Sequence, residues 1–210
     1  MRVEYNIRTP FSDETITELH VGDRVLLSGS IYTGRDAAHK RMTELLDAGK
    51  PLPFDVTGQV IYYAGPCPAP PGRAIGSVGP TTSQRMDAYS PRLIQEGLRV
   101  MIGKGSRSES VIEAIREHSG LYLAAIGGAG ALMALCVESA ELVAFEDLGP
   151  EAIYKLTVRE MPLIVAIDRE GGNIYARPPS KQGDPKQGDP KQGDGSSACP
   201  TNTSLLSAAR

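Results

Sequence analysis

The chain has 210 residues, and its hydrophobic content of 40% is enough for one domain with a sizeable core, with or without a tail. Its 22 basic and 25 acidic residues give a net charge of −3, so no overall positive field would draw nucleic acid or an acidic membrane to it. Because it contains no run of about 18 apolar residues and its first residues lack the apolar segment of a signal peptide, we expect a cytoplasmic protein with neither nucleic acid nor membrane as a partner.

The first third of the chain predicts alternating strands and helices. Residues 25–32 are apolar and β-favouring with small residues among them, which is typical of a buried strand. A helix is predicted at residues 35–47, because apolar residues recur there at helical spacing and Gly49 lies just past its end. Further strands are predicted at residues 3–7 and 59–64, and a short helix is predicted from Ser12 toward residue 19.

Residues 65–79 are too rich in proline and glycine for regular structure, yet too apolar for a flexible linker. We expect an ordered loop close to a ligand, with a rigid surface connection as the alternative. Tyr62, Tyr63 and Cys67 would line a pocket in the first case. Aromatic residues of a strand more often belong to the core.

The next segment, GPTTSQRMD at residues 79–87, combines the features of an anion site. Three hydroxyl residues follow a turn where a helix is expected to begin, and such side chains cap the free N–H groups of a first helical turn. If the helix has begun by Thr81, Arg85 lies on the same face as Thr81 or Thr82. N–H dipoles, hydroxyls and a positive charge would then meet, as a carboxylate or phosphate requires. The alternative is an ordinary capped helix with a surface arginine.

The second half of the chain predicts more strands and helices, and hence an α/β fold. The glycines at residues 127–130 follow a strand, but their spacing is not that of a dinucleotide-binding loop, and Gly103-Lys104 lacks the upstream glycine of a P-loop. Ser90-Pro91 divides the helical stretch after the threonine motif into two pieces. Strands are predicted at residues 98–102, 121–126, 142–145, 154–159 and 163–167, helices at residues 108–118 and 127–136, and a hairpin turn at residues 168–172.

The composition changes near the C-terminus. Copies of Lys-Gln-Gly-Asp-Pro begin at Lys181 and Lys186, and a truncated copy begins at Lys191. These charged repeats contain no apolar residue, so burial cannot offset their chain entropy. We therefore predict one domain at residues 1–176 and a disordered repeat tail without chemistry at residues 177–210.

Three widely separated cysteines argue against a metal site in this chain. Cys67, Cys136 and Cys199 show none of the close spacing by which iron–sulfur clusters are often held. We expect Cys67 and Cys136 to be unpaired residues of the core or of a site wall, as in a reducing compartment. We predict no metal ligand in this chain.

Cations stand where predicted strands end. Arg35 and Lys104 follow strands directly, and Arg85 follows the strand at residues 59–64 after the proline-rich loop. Ligands bind at that edge of an α/β sheet. The sequences GRDAAHKRM, GPTTSQRMD and IGKGSRS, followed by IGGAGAL and FEDLGPEAI, resemble the C-terminal domain of class I iron–sulfur fumarases, which is a separate beta subunit in some organisms. The resemblance runs from Val3 to Tyr175, and the beta subunit of L(+)-tartrate dehydratase shares the scaffold.

The resemblance implies a fold, an activity, a partner and a cofactor. The fold would be a swivelling β/β/α domain with a mixed sheet and flanking helices. The activity would be that of a hydro-lyase interconverting fumarate and (S)-malate. The chain would work with an alpha subunit that carries a [4Fe-4S] cluster, in a homo- or hetero-oligomer, and would bind a dicarboxylate but no cofactor itself.

The resemblance also assigns roles to individual residues. Arg35, Arg85 and Lys104 would clamp the substrate carboxylates, and Thr82 would donate a hydrogen bond. Thr81 would stand at the carbon where the proton is transferred. Threonine alone is a poor base, so this role requires a neighbouring cation such as Lys104 to lower the pKa of its hydroxyl.

Asp36 and His39 are the other candidates for proton transfer. Asp36 is adjacent to Arg35, so an ion pair that orients the guanidinium is the competing interpretation. His39 lies four residues after Arg35 on the same helical face and would support the site from behind, although a lone histidine in a helix is usually structural.

Three functions compete at this stage. The first is the beta subunit of a class I fumarate hydratase, and the second is the beta subunit of L(+)-tartrate dehydratase. The third belongs to another class, a non-catalytic anion-binding or regulatory module. Assays of the chain with and without an alpha subunit discriminate among them.

Overall fold

The computed structural model of the chain describes residues 3–176. It contains strands and helices in alternation, with two short 3-10 helices at Ser83–Met86 and Glu146–Glu151. The strands are β1 (Glu4–Arg8), β2 (Arg24–Thr33), β3 (Val60–Tyr62), β4 (Val100–Gly103), β5 (Leu121–Ala124), β6 (Val137–Ala144) and β7 (Ile153–Ile167), and the helices are α1 (Asp13–Glu18), α2 (Asp36–Asp47), α3 (Ser90–Gln95), α4 (Glu109–Glu117) and α5 (Gly130–Leu135). The predicted α/β class is confirmed.

The sheet closes on itself. Strands β2, β3, β4 and β5 pair in parallel in this order, and β7 pairs antiparallel with both β5 and β2. A ring of five strands results. Strand β1 pairs with the N-terminal half of β2, and β6 pairs with β7. The sequence predicted a mixed sheet but not its closure.

Both faces of the central strands are buried, because alternate residues point to opposite sides of a strand. One core cluster contains Val60 and Tyr62 of β3, together with the inward residues of the other ring strands. A second cluster lies between the sheet and helices α2, α3 and α4, and it contains Ile61 and Tyr63. The near-continuous apolar character of these short strands follows from this double burial.

The largest departure from the predicted elements is β7. The sequence predicted two strands at residues 154–159 and 163–167, but β7 runs through without interruption. Residues 160–162 separated the two predicted strands, whereas the strand continues through them with an irregularity at Glu160, which has a positive φ of 47°. The long strand reaches β6 and β2 with its first half and β2 and β5 with its second.

Strand β6 also begins earlier than predicted, at Val137 instead of residue 142. Its first residues are largely exposed and polar, because β6 lies outside the ring and pairs only with β7 within the described residues. An exposed strand of this kind lacks the apolar run from which the inner strands were predicted. In the part of the chain that the structure describes, no helix is long and apolar enough to span a membrane.

The proposed domain boundary coincides with the end of the described residues. The Lys-Gln-Gly-Asp-Pro repeats lie outside them, so the disordered tail and the limits 1–176 and 177–210 stay predictions. We expect a chain that ends at Ala176 to keep its cooperative thermal unfolding and a midpoint within a few degrees of the full chain, because the repeats have nothing to bury. Circular dichroism measures this directly. Loss of cooperativity would assign the tail a structural role.

Candidate functional site

Three neighbouring parallel strands bring the candidate cations to one edge of the sheet. Arg35 stands between the end of β2 and the start of α2, where it occupies the position before the first helical residue. Lys104 follows the last residue of β4 directly. The segment that carries Thr81 returns to the end of β3 through a bridge between Ala64 and Pro80. The backbone therefore places Arg35, Lys104 and the segment of Thr81 at the carboxyl ends of β2, β4 and β3, as the sequence predicted.

Asp36 links the two arginines. Its Oδ1 lies 2.7 Å from Nε of Arg85, and its Oδ2 lies 3.7 Å from an Nη of Arg35. This geometry supports the interpretation of Asp36 as an ion-pair partner, and it extends that role to Arg85. The Nε of Arg35 is buried and has no hydrogen-bond acceptor among the described residues.

Glu151 is a member of this cluster that the sequence interpretation missed. One carboxylate oxygen lies 3.1 Å from an Nη of Arg35, and the other accepts a hydrogen bond from the backbone N–H of Ala37 at 3.0 Å. Arg35 precedes helix α2 but its side chain does not cap the helix, and Glu151 supplies the cap instead. The negative charge of Glu151 also suits the positive N-terminal end of the helix. Glu151 lies within the FEDLGPEAI segment, which was one of the sequences that carry the family resemblance. That resemblance was the only sequence signal that could have pointed to Glu151.

The threonine segment is held by backbone hydrogen bonds rather than by a helix. The N–H of Thr81 donates to the carbonyl of Tyr63 at 2.6 Å, and the N–H of Lys104 donates to the carbonyl of Thr81 at 3.3 Å. The N–H of Ser83 in turn donates to the carbonyl of Lys104 at 2.9 Å. This ladder places Thr81 and Thr82 directly beside Lys104.

The helical interpretation of the motif was therefore wrong in its details. Helix begins at Ser83, as a single 3-10 turn, and Thr82 makes no side-chain cap bond. The reason is that the ladder to Lys104 holds residues 81–83 in an extended form. The threonine hydroxyls form no hydrogen bond with other described residues, so they stay available to a ligand, and Thr82 is exposed.

Lys104 extends toward the glycine turn after β5. A Cβ added at Gly127 would lie 3.6 Å from its Cδ, so the side chain runs past this turn. Within residues 3–176 Lys104 forms no ion pair with a carboxylate. Its ammonium group is therefore free of the neutralising partner that Arg35 and Arg85 share.

His39 points into the core and not toward substrate. It is fully buried, and its Nδ1 bonds to the backbone carbonyl of Arg35 at 2.9 Å, which makes Nδ1 the protonated nitrogen. Burial, with a smaller contribution from the positive charge of Arg107, lowers the pKa of His39 to about 4, although the hydrogen bond to Arg35 and the charge of Asp36 oppose this shift. His39 is thus neutral at physiological pH and supports the backbone of Arg35.

The proline-rich loop is ordered as predicted, but its aromatic neighbours do not line a pocket. Tyr62 and Tyr63 are fully buried in the core. Within the loop the N–H of Cys67 donates to Ser77, and the phenol of Tyr62 donates to the carbonyl of Val78. Cys67 is exposed and therefore not a core residue, but it lines an open cavity together with Pro150 and Tyr154.

The described residues do not fit an iron–sulfur cluster. Cys67 and Cys136 lie on different elements and are not bonded to each other, and nowhere in residues 3–176 do three His, Cys, Asp or Glu side chains stand close enough to hold a metal ion. The chemistry of the cluster of Arg35, Arg85 and Lys104 is instead that of an anion site.

The anion site is open to solvent on one side. The Arg85 side chain is 52% exposed, whereas the Arg35 side chain is 23% exposed. An exposed ion pair contributes about 1 kcal/mol or less, so Asp36 orients Arg85 without withholding it from a carboxylate ligand. Two guanidinium groups and one ammonium group can engage the two carboxylates of a small diacid.

Comparison with known proteins identifies the family of this chain. A sequence profile described as Fumarase C-terminus matches residues 1–178. The chain belongs to the fumarase C-terminal family. This fumarase C-terminal chain is 41% identical over 169 residues to the anaerobic class I fumarate hydratase of Escherichia coli strain K12, a match that covers 80% of the chain and 31% of that protein.

Two further relatives are similar to this chain and carry different names. Fumarate hydratase 2 of Leishmania major is 37% identical over 180 residues, which cover 83% of this fumarase C-terminal chain and 32% of that protein. A putative L(+)-tartrate dehydratase subunit beta of Methanocaldococcus jannaschii is 39% identical over 166 residues, which cover 76% of the chain and 85% of that subunit. The chain thus spans about a third of the fumarate hydratases that it matches, and most of a protein named as a separate subunit.

Proposed function

We propose that this chain is the beta subunit of a hydro-lyase that interconverts fumarate and (S)-malate. One observation carries the proposal: at a single sheet edge Arg35 and Arg85 share the carboxylate of Asp36, and Lys104 lies beside Thr81 and Thr82. The names of the relatives point to the same chemistry. A dicarboxylate offers two anionic groups for the three cations to bind.

The cations act first by holding the substrate. Arg35 is fixed from behind by Glu151 and by the helix that begins after it, so its free Nε–H and one Nη have a defined direction. Arg85 is oriented by Asp36 and offers its remaining N–H groups to the second carboxylate, or to the second oxygen of the same one. Fixing both carboxylates turns one carbon toward the reacting group, and such orientation supplies several kcal/mol of barrier reduction.

Thr81 transfers the proton in this proposal. In the dehydration direction, a proton leaves the carbon next to a carboxylate, and negative charge builds up on that carboxylate. The cations that bind the carboxylate stabilise this charge. Lys104 is hydrogen-bonded to Thr81 through the backbone and lacks a carboxylate partner among the described residues, so its charge is available to lower the pKa of the Thr81 hydroxyl. Thr82 donates a hydrogen bond to substrate.

A partner subunit completes the site. The cationic edge is open to solvent, and a covering surface that expels bulk water would strengthen its contacts with the substrate carboxylates. We assign the covering surface and the [4Fe-4S] cluster to an alpha subunit, in agreement with the unsuitability of the described residues as cluster ligands. When bound there, the cluster supplies a Lewis acid for the hydroxyl group of the substrate.

A second candidate, the beta subunit of L(+)-tartrate dehydratase, is favoured by one observation. The Methanocaldococcus jannaschii relative is named as such a subunit, and this chain covers 85% of its length. Tartrate carries a second hydroxyl, so this enzyme would need one more hydrogen-bonding group in its pocket than a fumarase.

The test is to produce the chain alone and together with an alpha subunit under anaerobic conditions. We expect the isolated chain to be colourless and inactive, and the complex to hydrate fumarate. Visible iron–sulfur absorption by the isolated chain, or activity without a partner, would refute the composite site. Activity with L(+)-tartrate alone would select the second candidate, and a well-formed complex without either activity would leave a non-catalytic anion-binding module.

A further inference from the structure

A buried arginine lies beneath the candidate site and belongs to none of the substrate contacts. The side chain of Arg107 has no exposed surface, and its Nε donates to Oδ1 of Asp87 at 2.7 Å. One Nη donates to the hydroxyl of Ser90, also at 2.7 Å. The other carboxylate oxygen of Asp87 accepts from the N–H of Ser108 at 2.6 Å. Arg107 and Asp87 therefore join the segment after β4 to the end of the GPTTSQRMD segment, and Arg107 also binds Ser90 just beyond it.

Two aromatic rings enclose the guanidinium. Its central carbon lies 5.2 Å from the ring centre of Tyr63 and 5.0 Å from that of Tyr122. Such contacts hold a cation well when water is excluded. Each tyrosine is in turn hydrogen-bonded to residues of the candidate site. The backbone carbonyl of Tyr63 accepts from the N–H of Thr81 at 2.6 Å.

Tyr122 makes the corresponding connection on the other side. Its hydroxyl donates to the carbonyl of Gly105 at 2.9 Å and lies 2.8 Å from the hydroxyl of Ser83. Gly105 follows Lys104, and Ser83 follows Thr82. At Gly103, a Cβ would come within 2.0 Å of the Ser83 hydroxyl, so the two segments meet without room for a side chain.

We propose that Arg107 is a positioning residue, which sets the spacing between Lys104 and the segment from Thr81 to Arg85. It lies three residues after Lys104 and contacts the rings of Tyr63 and Tyr122, which in turn bond to Thr81 and Ser83. A buried ion pair is often replaced by apolar residues without loss of stability, so a need for stability alone does not account for a charge at this place. The inference rests on the proposed function, because the spacing matters only to a ligand that binds both segments.

The experiment compares Arg107→Met and Arg107→Lys with the parent. Lysine keeps the charge but cannot contact Asp87, Ser90 and both rings together. Tyr122→Phe is a milder variant that removes only the hydroxyl contacts to Ser83 and Gly105. Arg99→Met is the matched control, since Arg99 pairs with Asp13 and contacts none of the site residues.

Two measurements are made on the full chain and on its complex with the alpha subunit. The first is amide hydrogen exchange of the full chain, where we expect the N–H groups of Thr81, Ser83 and Lys104 to exchange about tenfold faster in Arg107→Met while those of β1 and β2 stay unchanged. The second is kcat/KM of the complex below its unfolding temperature, which we expect to fall about tenfold or more. Arg107→Lys should be intermediate and Arg99→Met normal in both.

The outcomes separate the positioning role of Arg107 from the proposed function. A uniform rise in exchange, or local loosening with an unchanged kcat/KM, would overturn the positioning role. An inactive parent complex would instead refute the proposed function. The hydrogen-exchange data would still report on the contacts of Arg107, because they do not require activity. If Arg107→Met fails to fold, the same two patterns in Arg107→Lys and Tyr122→Phe give the answer.

Discussion

Arg85→Lys and Lys104→Met should each lower kcat/KM for fumarate hydration by the proposed complex with an alpha subunit by about a hundredfold, equivalent to about 2.7 kcal/mol of transition-state stabilisation. Lysine in place of Arg85 keeps the charge but loses the planar fork that contacts Asp36 and a carboxylate together. Methionine in place of Lys104 keeps the length of the side chain and removes the charge beside Thr81. The measurement is steady-state hydration of fumarate by the complex.

The folded state should change little in both variants. The exposed part of Arg85 and the unpaired ammonium of Lys104 contribute to no apolar face, and such substitutions usually alter the free energy of unfolding by about 0.5 kcal/mol or less. Arg41→Lys is the matched control for Arg85, since Arg41 forms a two-point pair with Asp147 at 2.7 and 2.8 Å outside the site. Lys40→Met is the control for Lys104. If Arg85→Lys or Lys104→Met matched the parent rate, this edge would not be the anion site.

Acidification should destabilise the folded chain through His39. The unfolded state gains a proton on this imidazole below its ordinary pKa of 6.5, whereas the folded state stays neutral until the pKa of about 4. The stabilising effect is complete above pH 6.5 and is lost as the pH falls to 4, and it amounts to about 3 kcal/mol. Urea unfolding across this pH range at constant ionic strength measures it.

Carboxylates also titrate in this range, so the comparison is between variants. His39→Asn retains a side-chain N–H near the position of Nδ1 and removes the titrating group. It should therefore lose about 3 kcal/mol less than the parent between pH 6.5 and 4, although it starts from a lower stability. His20→Asn removes an exposed imidazole and should follow the parent. A parent-like pH dependence of His39→Asn would show that His39 is not the group responsible.

Local patterns in the sequence were sufficient for much of the fold and for the placement of the cations. The apolar run of β2 and the spacing in α2 predicted both elements within a few residues, and the location of Arg35 between them followed directly. Lys104 was predicted at the same edge because parallel strands align their carboxyl ends. These inferences required only neighbours in the chain.

The remaining features depend on contacts between distant residues. Glu151 caps a helix that begins over a hundred residues earlier, and no spacing rule connects it to Arg35. No role was predicted for Arg107 from the sequence, because nothing in its local pattern shows that its side chain is wholly buried. The threonines resembled a helix cap because hydroxyls favour that position, but the pairing of residues 81–83 with Lys104 overrode the local preference.

Ring closure has a consequence for the order in which the chain folds. Strand β2 is synthesised early, but it completes its pairing only with β7, which lies at the far end of the described residues. Until β7 has left the ribosome, β2 and β5 keep unpaired edges, and Arg35 lacks the carboxylate of Glu151 just before β7. Pairings between such distant segments make folding slow and expose strand edges to association with other chains. The candidate anion site should therefore be among the last of the described parts to form, and the nascent chain should be prone to association with other chains until β7 closes the ring.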